Sequence, residues 1–205
     1  MKRINLLLLA MLFLTMCSKN EKIDWNTDLD FLAQELSEKH YNFFTIKSKD
    51  DFLSGLDAIK QDSKNLNDFQ IALKTQQLIA KFGDSHTELI YNRLLKWNRI
   101  LPIKIIWLID GLYIEQTTQK NKKILGSQIL SINNVPIATV IDSLSTLYTI
   151  DNQATLKLKT PKILPSIQIL EYFGFVNTTK IELGLKTVKN LNETYILKTL
   201  YNGYI

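Results

Sequence analysis

The sequence is poor in the residues that build covalent or metal-based frameworks. It contains one cysteine, Cys17, and two histidines, His40 and His86. A single cysteine cannot close a disulfide within the chain, so the folded part must be stabilised by its core. A structural zinc site takes four Cys or His ligands, and three such residues are too few. We therefore predict no metal and no cofactor.

The sequence also lacks a long apolar run and a strong excess of charge. The N-terminal apolar stretch runs from Ile4 to Leu14, interrupted by Asn5, whereas a membrane span needs about 20 residues. The net charge is +5, but two of the 25 basic residues are Lys2 and Arg3, which leaves 23 against 20 acidic residues. The other lysines are scattered rather than clustered in a stripe, so we predict no nucleic-acid binding.

The first 17 residues have the parts of an export signal in the expected order. A basic start precedes the short apolar stretch, which ends in Thr15-Met16-Cys17. This resembles a bacterial lipoprotein signal, whose cysteine is lipidated and becomes the new N-terminus. Met16 departs from the small residue usual at its position, and an ordinary signal peptide is the alternative. We expect a membrane-anchored lipoprotein of the cell envelope, on the periplasmic or surface side, or otherwise a secreted protein.

Helical patterns dominate the chain up to residue 86. Asp24 or Thr27 is available to cap a first helix, and Ser48 with Asp51 forms the spacing of a capping box before a second. A third helix is predicted from Asn67 to a C-terminal glycine at position 83. Short connections between helices favour antiparallel neighbours, so the sequence predicts a three-helix bundle.

The pattern changes to strands beyond the bundle. We predict a short β-prone segment at 87–91, a hairpin of 103–109 with 112–114 through Asp110-Gly111, and a strand at 128–132 that turns at Asn133-Asn134. Helices are predicted at 138–147 and 163–173, and strands at 180–186 and 194–200. The fold class is α+β. The predicted division is a signal peptide at 1–17, a tether at 18–23, a helical bundle at 24–86, and a mixed β module with one or two helices at 87–205.

The two histidines differ in their surroundings. His40 closes the first helix, where a cation is favourable, and a structural or incidental role explains it. His86 lies in Asp-Ser-His-Thr at 84–87, between a helix end and a β-prone segment, where clefts between domains form. Its neighbours carry the carboxylate and hydroxyls that can fix the tautomer of a general base. The residues by themselves leave catalysis and simple loop capping both open.

Two segments resemble tail-specific, tricorn-type serine peptidases. Residues 78–87 are similar to the helix end and Asp-x-His-Thr signature of that family, and residues 124–137 resemble its PDZ-like module. Asp151-Asn152 and the order of the parts also fit. The resemblance implies that His86 is the general base and that Ser85 helps to orient the site. In the family the nucleophilic serine, the oxyanion donors and a supporting glutamate belong to a later domain.

Two interpretations follow from the resemblance. A general base is useless without an alcohol to activate, and this sequence contains no Gly-x-Ser-x-Gly nucleophile elbow; Ser143 and Ser166 fit caps or surface positions. We expect the N-terminal portion of an exported peptidase, inactive alone, that acts on unfolded proteins or peptide C-termini. The alternative is a non-catalytic cell-envelope lipoprotein, whose PDZ-like module receives a peptide C-terminus near residues 124–127.

Overall fold

The computed structural model describes residues 23–96, 99–177 and 180–198. Helices come first and an antiparallel sheet follows, which confirms the α+β class. Cys17, with the rest of the predicted signal peptide and nearly all of the tether, lies outside the described residues. No helix in the described part is both long and apolar enough to cross a membrane.

Three helices begin at the predicted capping residues. The Asp24 carboxylate accepts the Thr27 amide, and Ser48 and Asp51 form the predicted reciprocal capping box. Asn67 forms a second capping box at the third helix. These side chains satisfy amides that the first turn of a helix leaves without partners. The helices are α1 (Trp25–Lys39), α2 (Lys49–Asp62), followed by a 3-10 turn (Ser63–Asn65), and α3 (Asp68–Ala80).

A buried aromatic cluster holds the helices together. Phe43, from the loop after α1, stacks on Phe82 with a centroid distance of 4.9 Å and an interplanar angle of 9°. Phe52 of α2 packs edge-on against both rings at 5.2 Å. All three side chains are buried. Burial of such large rings is the main stabilisation available to a bundle without disulfides.

The strand part forms one antiparallel sheet. The strands lie in the order β1-β2-β3-β5-β6, and the short β4 pairs with β3. Asn133 and Asn134 both have positive φ values, 46° and 65°, as a two-residue hairpin turn requires. The strands are β1 (Ile103–Leu108), β2 (Gly111–Thr117), β3 (Gln128–Ile132), β4 (Val135–Pro136), β5 (Lys180–Lys186) and β6 (Asn192–Lys198).

Three helices accompany the sheet, rather than the predicted one or two: α4 (Ile137–Ser145), α5 (Gln153–Ile163) and α6 (Ile167–Tyr172). The prediction missed α5 because its Lys- and Thr-rich sequence has no clear apolar stripe and contains Pro161. Asn152 nevertheless caps it. The helix predicted at 163–173 spans only Ile167–Tyr172, because Ile163 is the last residue of α5 and Pro165 lies between the two helices.

Two local predictions were wrong in detail. Residues 87–91 do not form a strand, and the chain runs instead into a 3-10 turn at Tyr91–Leu94. The amide of Leu89 bonds to the side chain of Gln76 rather than to a neighbouring strand. In the first hairpin, Leu108 pairs with Gly111, so the turn is Ile109-Asp110, one residue earlier than predicted.

Helix α3 contributes to both cores. Phe69 and Leu73 pack in the large cluster with the sheet and the later helices. Ile71 and Ile79 pack with α1 and α2. A helix with apolar residues on two faces is expected to be covered on both. The predicted boundary at residue 86, between the helical bundle and the mixed β module, therefore comes just after a helix that packs in the cores of both.

Candidate functional site

The turn at residues 84–87 lies where the helical and strand parts meet. After α3 the chain passes through Gly83, whose φ of 82° favours glycine. Thr149, from the strand part, points its hydroxyl at the carbonyls of Ala80 and Asp84, at 3.2 and 3.3 Å. The turn is thus held by residues from both sides of the junction.

The Asp84 carboxylate organises this turn. Its Oδ1 accepts the His86 amide at 3.0 Å, and its Oδ2 accepts the Thr87 hydroxyl and lies 2.8 Å from His40 Nε2. Hydrogen bonds from Thr87 and from the His86 amide, with a smaller contribution from His40, lower the pKa of Asp84 to about 2, against the opposing effect of burial. Asp84 is therefore an anion at neutral pH and fixes three partners.

His86 is fixed through its backbone while its side chain stays exposed. Across residues 23–96, 99–177 and 180–198, no group hydrogen-bonds to its imidazole. The partly buried Ser85 likewise has no hydrogen-bond partner for its hydroxyl in this part of the chain. The two predicted site residues are therefore neighbours on one ordered turn, but their side chains are not joined by a hydrogen bond.

His40 is closer to this site than its sequence position indicated. Its Nε2 faces Asp84 and Thr87, at 2.8 and 3.0 Å, and its ring packs edge-on against Phe43. The opposite nitrogen, Nδ1, is buried without a hydrogen-bond partner. Because neither nitrogen is open to an incoming molecule, His40 is unsuited to proton transfer with a substrate. It has a structural place in the site, whereas sequence reasoning recognised only a helix terminus.

A groove of about 530 Å³ opens beside the turn. It begins at Glu88 and continues along the segment after His86 toward α5 and α6. Its volume is within the range of about 300–1,000 Å³ typical of ligand sites. Its lining is mainly apolar and includes Leu89, Tyr91, Leu147, Tyr148, Ile163 and Ile169. Burial, and secondarily the charge of Glu88, raises the pKa of Tyr91 to about 12, so this phenol stays neutral. His86 itself does not line the groove.

Ser143 and Ser166, the other serines weighed as possible nucleophiles, are not hydrogen-bonded to His86. Ser143 donates its hydroxyl to the Thr139 carbonyl within α4. Ser166 precedes α6, is buried, and lines the groove without capping the helix by its side chain. Neither hydroxyl forms a hydrogen bond with the imidazole of His86. Among the described residues, no hydroxyl is hydrogen-bonded to the His86 imidazole.

In the loop at 124–127, which was expected to receive a peptide carboxylate, three backbone amides already donate hydrogen bonds to backbone carbonyls. The amide of Leu125 bonds to the Lys122 carbonyl, that of Ser127 to the Ile124 carbonyl, and that of Gly126 to the Ile114 carbonyl of β2. A carboxylate site needs amides without such partners. If the strand part binds a peptide C-terminus, these three amides are not the donors.

In the described part of the chain, no three His, Cys, Asp or Glu side chains are grouped to hold a metal ion.

The comparisons with known proteins show what the fold resembles. No protein-family model matches the sequence, and no curated protein matches it. Among solved structures, a point mutant of CPAF, a chlamydial serine protease, is similar with a TM-score of 0.56 at 16% identity, covering 85% of this chain and 33% of that chain. CPAF complexed with lactacystin matches with a TM-score of 0.55, also at 16% identity, covering 85% of this chain and 34% of its own. The chain thus shares a fold with about one third of a CPAF chain.

Proposed function

We propose that this chain is the N-terminal portion of an exported serine peptidase of the tail-specific, tricorn-like type, with His86 as its general base. The observation that carries the proposal is the difference between the two histidines. Both lie at the Asp84 turn, but only the His86 ring is exposed and free of hydrogen bonds to the described residues. A general base must be able to reach the proton that it removes.

The nucleophile in this proposal comes from another segment of polypeptide. His86 can activate a serine only within about 3 Å, and no described hydroxyl is bonded to it. The fold similarity to about one third of CPAF supports this division, because the chain corresponds to only part of a serine protease there. The chain by itself is accordingly inactive in this proposal, and Ser85 supports the orientation of the site.

The decisive experiment begins with the gene. The DNA downstream of codon 205 should continue in frame, or as a frameshifted remnant, into a domain that carries a serine nucleophile. The complete protein should then cleave an unfolded protein such as reduced casein, while residues 1–205 alone should not. His86→Ala should lower kcat about 100-fold or more, the usual contribution of a general base.

A matched control separates catalysis from disturbance of the turn. Lys81 is exposed and lies just before the turn, and Lys81→Ala should leave kcat unchanged. Hydrolysis that is unaffected by His86→Ala would refute the assignment of the base. An unrelated gene directly after codon 205, together with turnover by residues 1–205 that persists in the His86→Ala variant, would refute the proposal as a whole.

A second candidate is a non-catalytic cell-envelope lipoprotein that binds peptide C-termini. The observation in its favour is the sheet edge: β6 pairs only with β5 among the described strands, and Ile196 on β6 is exposed. An extended peptide can add to such an edge as a further strand. Arrayed peptides with free and amidated C-termini test this mode. Equal binding of both forms would exclude a role for the carboxylate.

The proposed location at the membrane depends on Cys17. We propose that this cysteine is lipidated and anchors the chain to the cell envelope. Metabolic labelling with a palmitate analogue in a bacterial host should label the wild-type chain and not Cys17→Ala, whereas Met16→Ala should preserve labelling or increase it. Release of unlabelled wild-type protein into the medium or periplasm would favour the ordinary signal peptide.

A further inference from the structure

His40 is clamped between the aromatic cluster and the Asp84 turn. Its amide closes α1 by bonding to the Leu36 carbonyl. Its ring packs against Phe43 at a centroid distance of 5.3 Å, and Phe43 stacks on Phe82, two residues before Asp84. The ring therefore cannot turn without disturbing a buried aromatic contact.

The contacts of the ring select one tautomer. Nε2 lies 2.8 Å from Asp84 Oδ2, and Asp84 is an anion that only accepts hydrogen bonds. A proton on Nε2 makes this contact a charge-assisted hydrogen bond. The opposite tautomer would put two acceptors against each other and would leave an N–H at Nδ1 buried without an acceptor. Neutral His40 should thus carry its proton on Nε2.

We propose that His40 is a positioning residue for His86, acting through Asp84. The Nε2 proton holds one carboxylate oxygen of Asp84, which orients the other oxygen toward the His86 amide. The position of the His86 amide in turn sets the direction in which the exposed His86 imidazole projects from the turn. The end of α1 is in this way connected to the proposed general base, 46 positions along the chain. The proposal rests on the proposed function in one respect, that His86 is the residue whose orientation matters.

Two substitutions at position 40 test the proposal as a pair. Glutamine can place an amide N–H close to the position of Nε2, whereas leucine has a similar size and no donor. The measurement is hydrogen exchange of the His86 backbone amide in the isotope-labelled full chain. His40→Leu should accelerate exchange at His86 about tenfold, the effect of losing a charge-assisted hydrogen bond, and His40→Gln should restore most of the protection. The amide of Ile79, buried in α3, serves as the internal control and should not change.

The tautomer of the wild-type chain gives an independent readout. Long-range ¹H–¹⁵N spectra should show neutral His40 protonated at Nε2. Unchanged exchange at His86 in a folded His40→Leu variant would overturn the proposal, and so would a neutral wild-type His40 whose single ring proton is on Nδ1. The second result decides the matter even if His40→Leu does not fold.

The two proposals fail in different ways. Full activity of His86→Ala in the complete protein would refute the general base and leave the exchange result standing. Unchanged exchange in His40→Leu would refute the positioning role, whether or not His86 is catalytic.

Discussion

Replacing Asp84 with asparagine removes the negative charge of the turn and keeps one carbonyl oxygen. The remaining oxygen can still accept the His86 amide, but the new NH₂ group cannot accept from Thr87 or His40. The pKa of Asp84 falls from 3.8 to about 2 in the folded chain, and one pKa unit corresponds to about 1.4 kcal/mol. The upper limit for the stabilisation by ionised Asp84 is therefore about 2.5 kcal/mol.

Partial exposure lowers this limit. The Asp84 side chain is 23% exposed, so water weakens its interactions with Thr87, with the His86 amide and with His40. We expect Asp84→Asn to reduce the free energy of unfolding by about 1–2 kcal/mol at neutral pH. Because the folded-state pKa lies below the unfolded value, the stabilisation is complete well above pH 3.8 and disappears as the pH falls from 3.8 through about 2.

Urea unfolding of both proteins at pH 7, 5 and 2.5 measures this difference. Comparison of pH 5 with pH 2.5 isolates the carboxylate, since histidines of the unfolded chain are already protonated at pH 5. Asp142→Asn, at an exposed position on α4, is the matched control and should show little change. A difference between wild type and Asp84→Asn that is the same at pH 5 and pH 2.5 would refute this account of the turn.

Two further predictions concern the surroundings of the turn. Gly83→Ala and Gly174→Ala should both cost about 1–2 kcal/mol, because their φ values are 82° and 75°; Gly83→Ala should cost more, since its Cβ would meet the flexible end of Ile46 at 2.0 Å while nothing lies within 4 Å at Gly174. Equal losses in urea unfolding would contradict that contact. Gln76→Leu should cost about 2–4 kcal/mol, because the buried Gln76 side chain satisfies two backbone groups that would lose their partners. Gln77→Leu, which loses only side-chain partners at a partly exposed site, should cost less, and a larger loss there than at Gln76 would refute this reasoning.

The helices of the bundle were predictable because their signals are local. The side chains of Asp24, Ser48 and Asn67 each accept a hydrogen bond from the amide three residues later. The spacing of these residues in the sequence is therefore enough to predict the interaction. The same holds for the Asn133-Asn134 turn and for the alternating β5 strand. Helix α5 escaped prediction because its position is set by packing against its neighbours rather than by a periodic apolar face.

The site was predictable only in part. The Asp-Ser-His-Thr segment directed attention to His86, and its turn has the local hydrogen bonds that such residues make. The roles of His86 and Ser85 remain predictions. His40 was interpreted as structural, but nothing in its own neighbourhood indicated that it lies 2.8 Å from Asp84. A contact between residues 44 positions apart has no signal in spacing or periodicity.

The sequence alone determined the α+β class, the caps, the Asn133-Asn134 turn and the segment that carries His86, since these follow from interactions over a few residues. Only the tertiary structure decided which of the two histidines stays accessible. Folding of α1 against the end of α3 buries one nitrogen of His40 and engages the other with Asp84, while the His86 ring remains outside. Accessibility depends on how distant segments pack, and packing is a property of the whole fold.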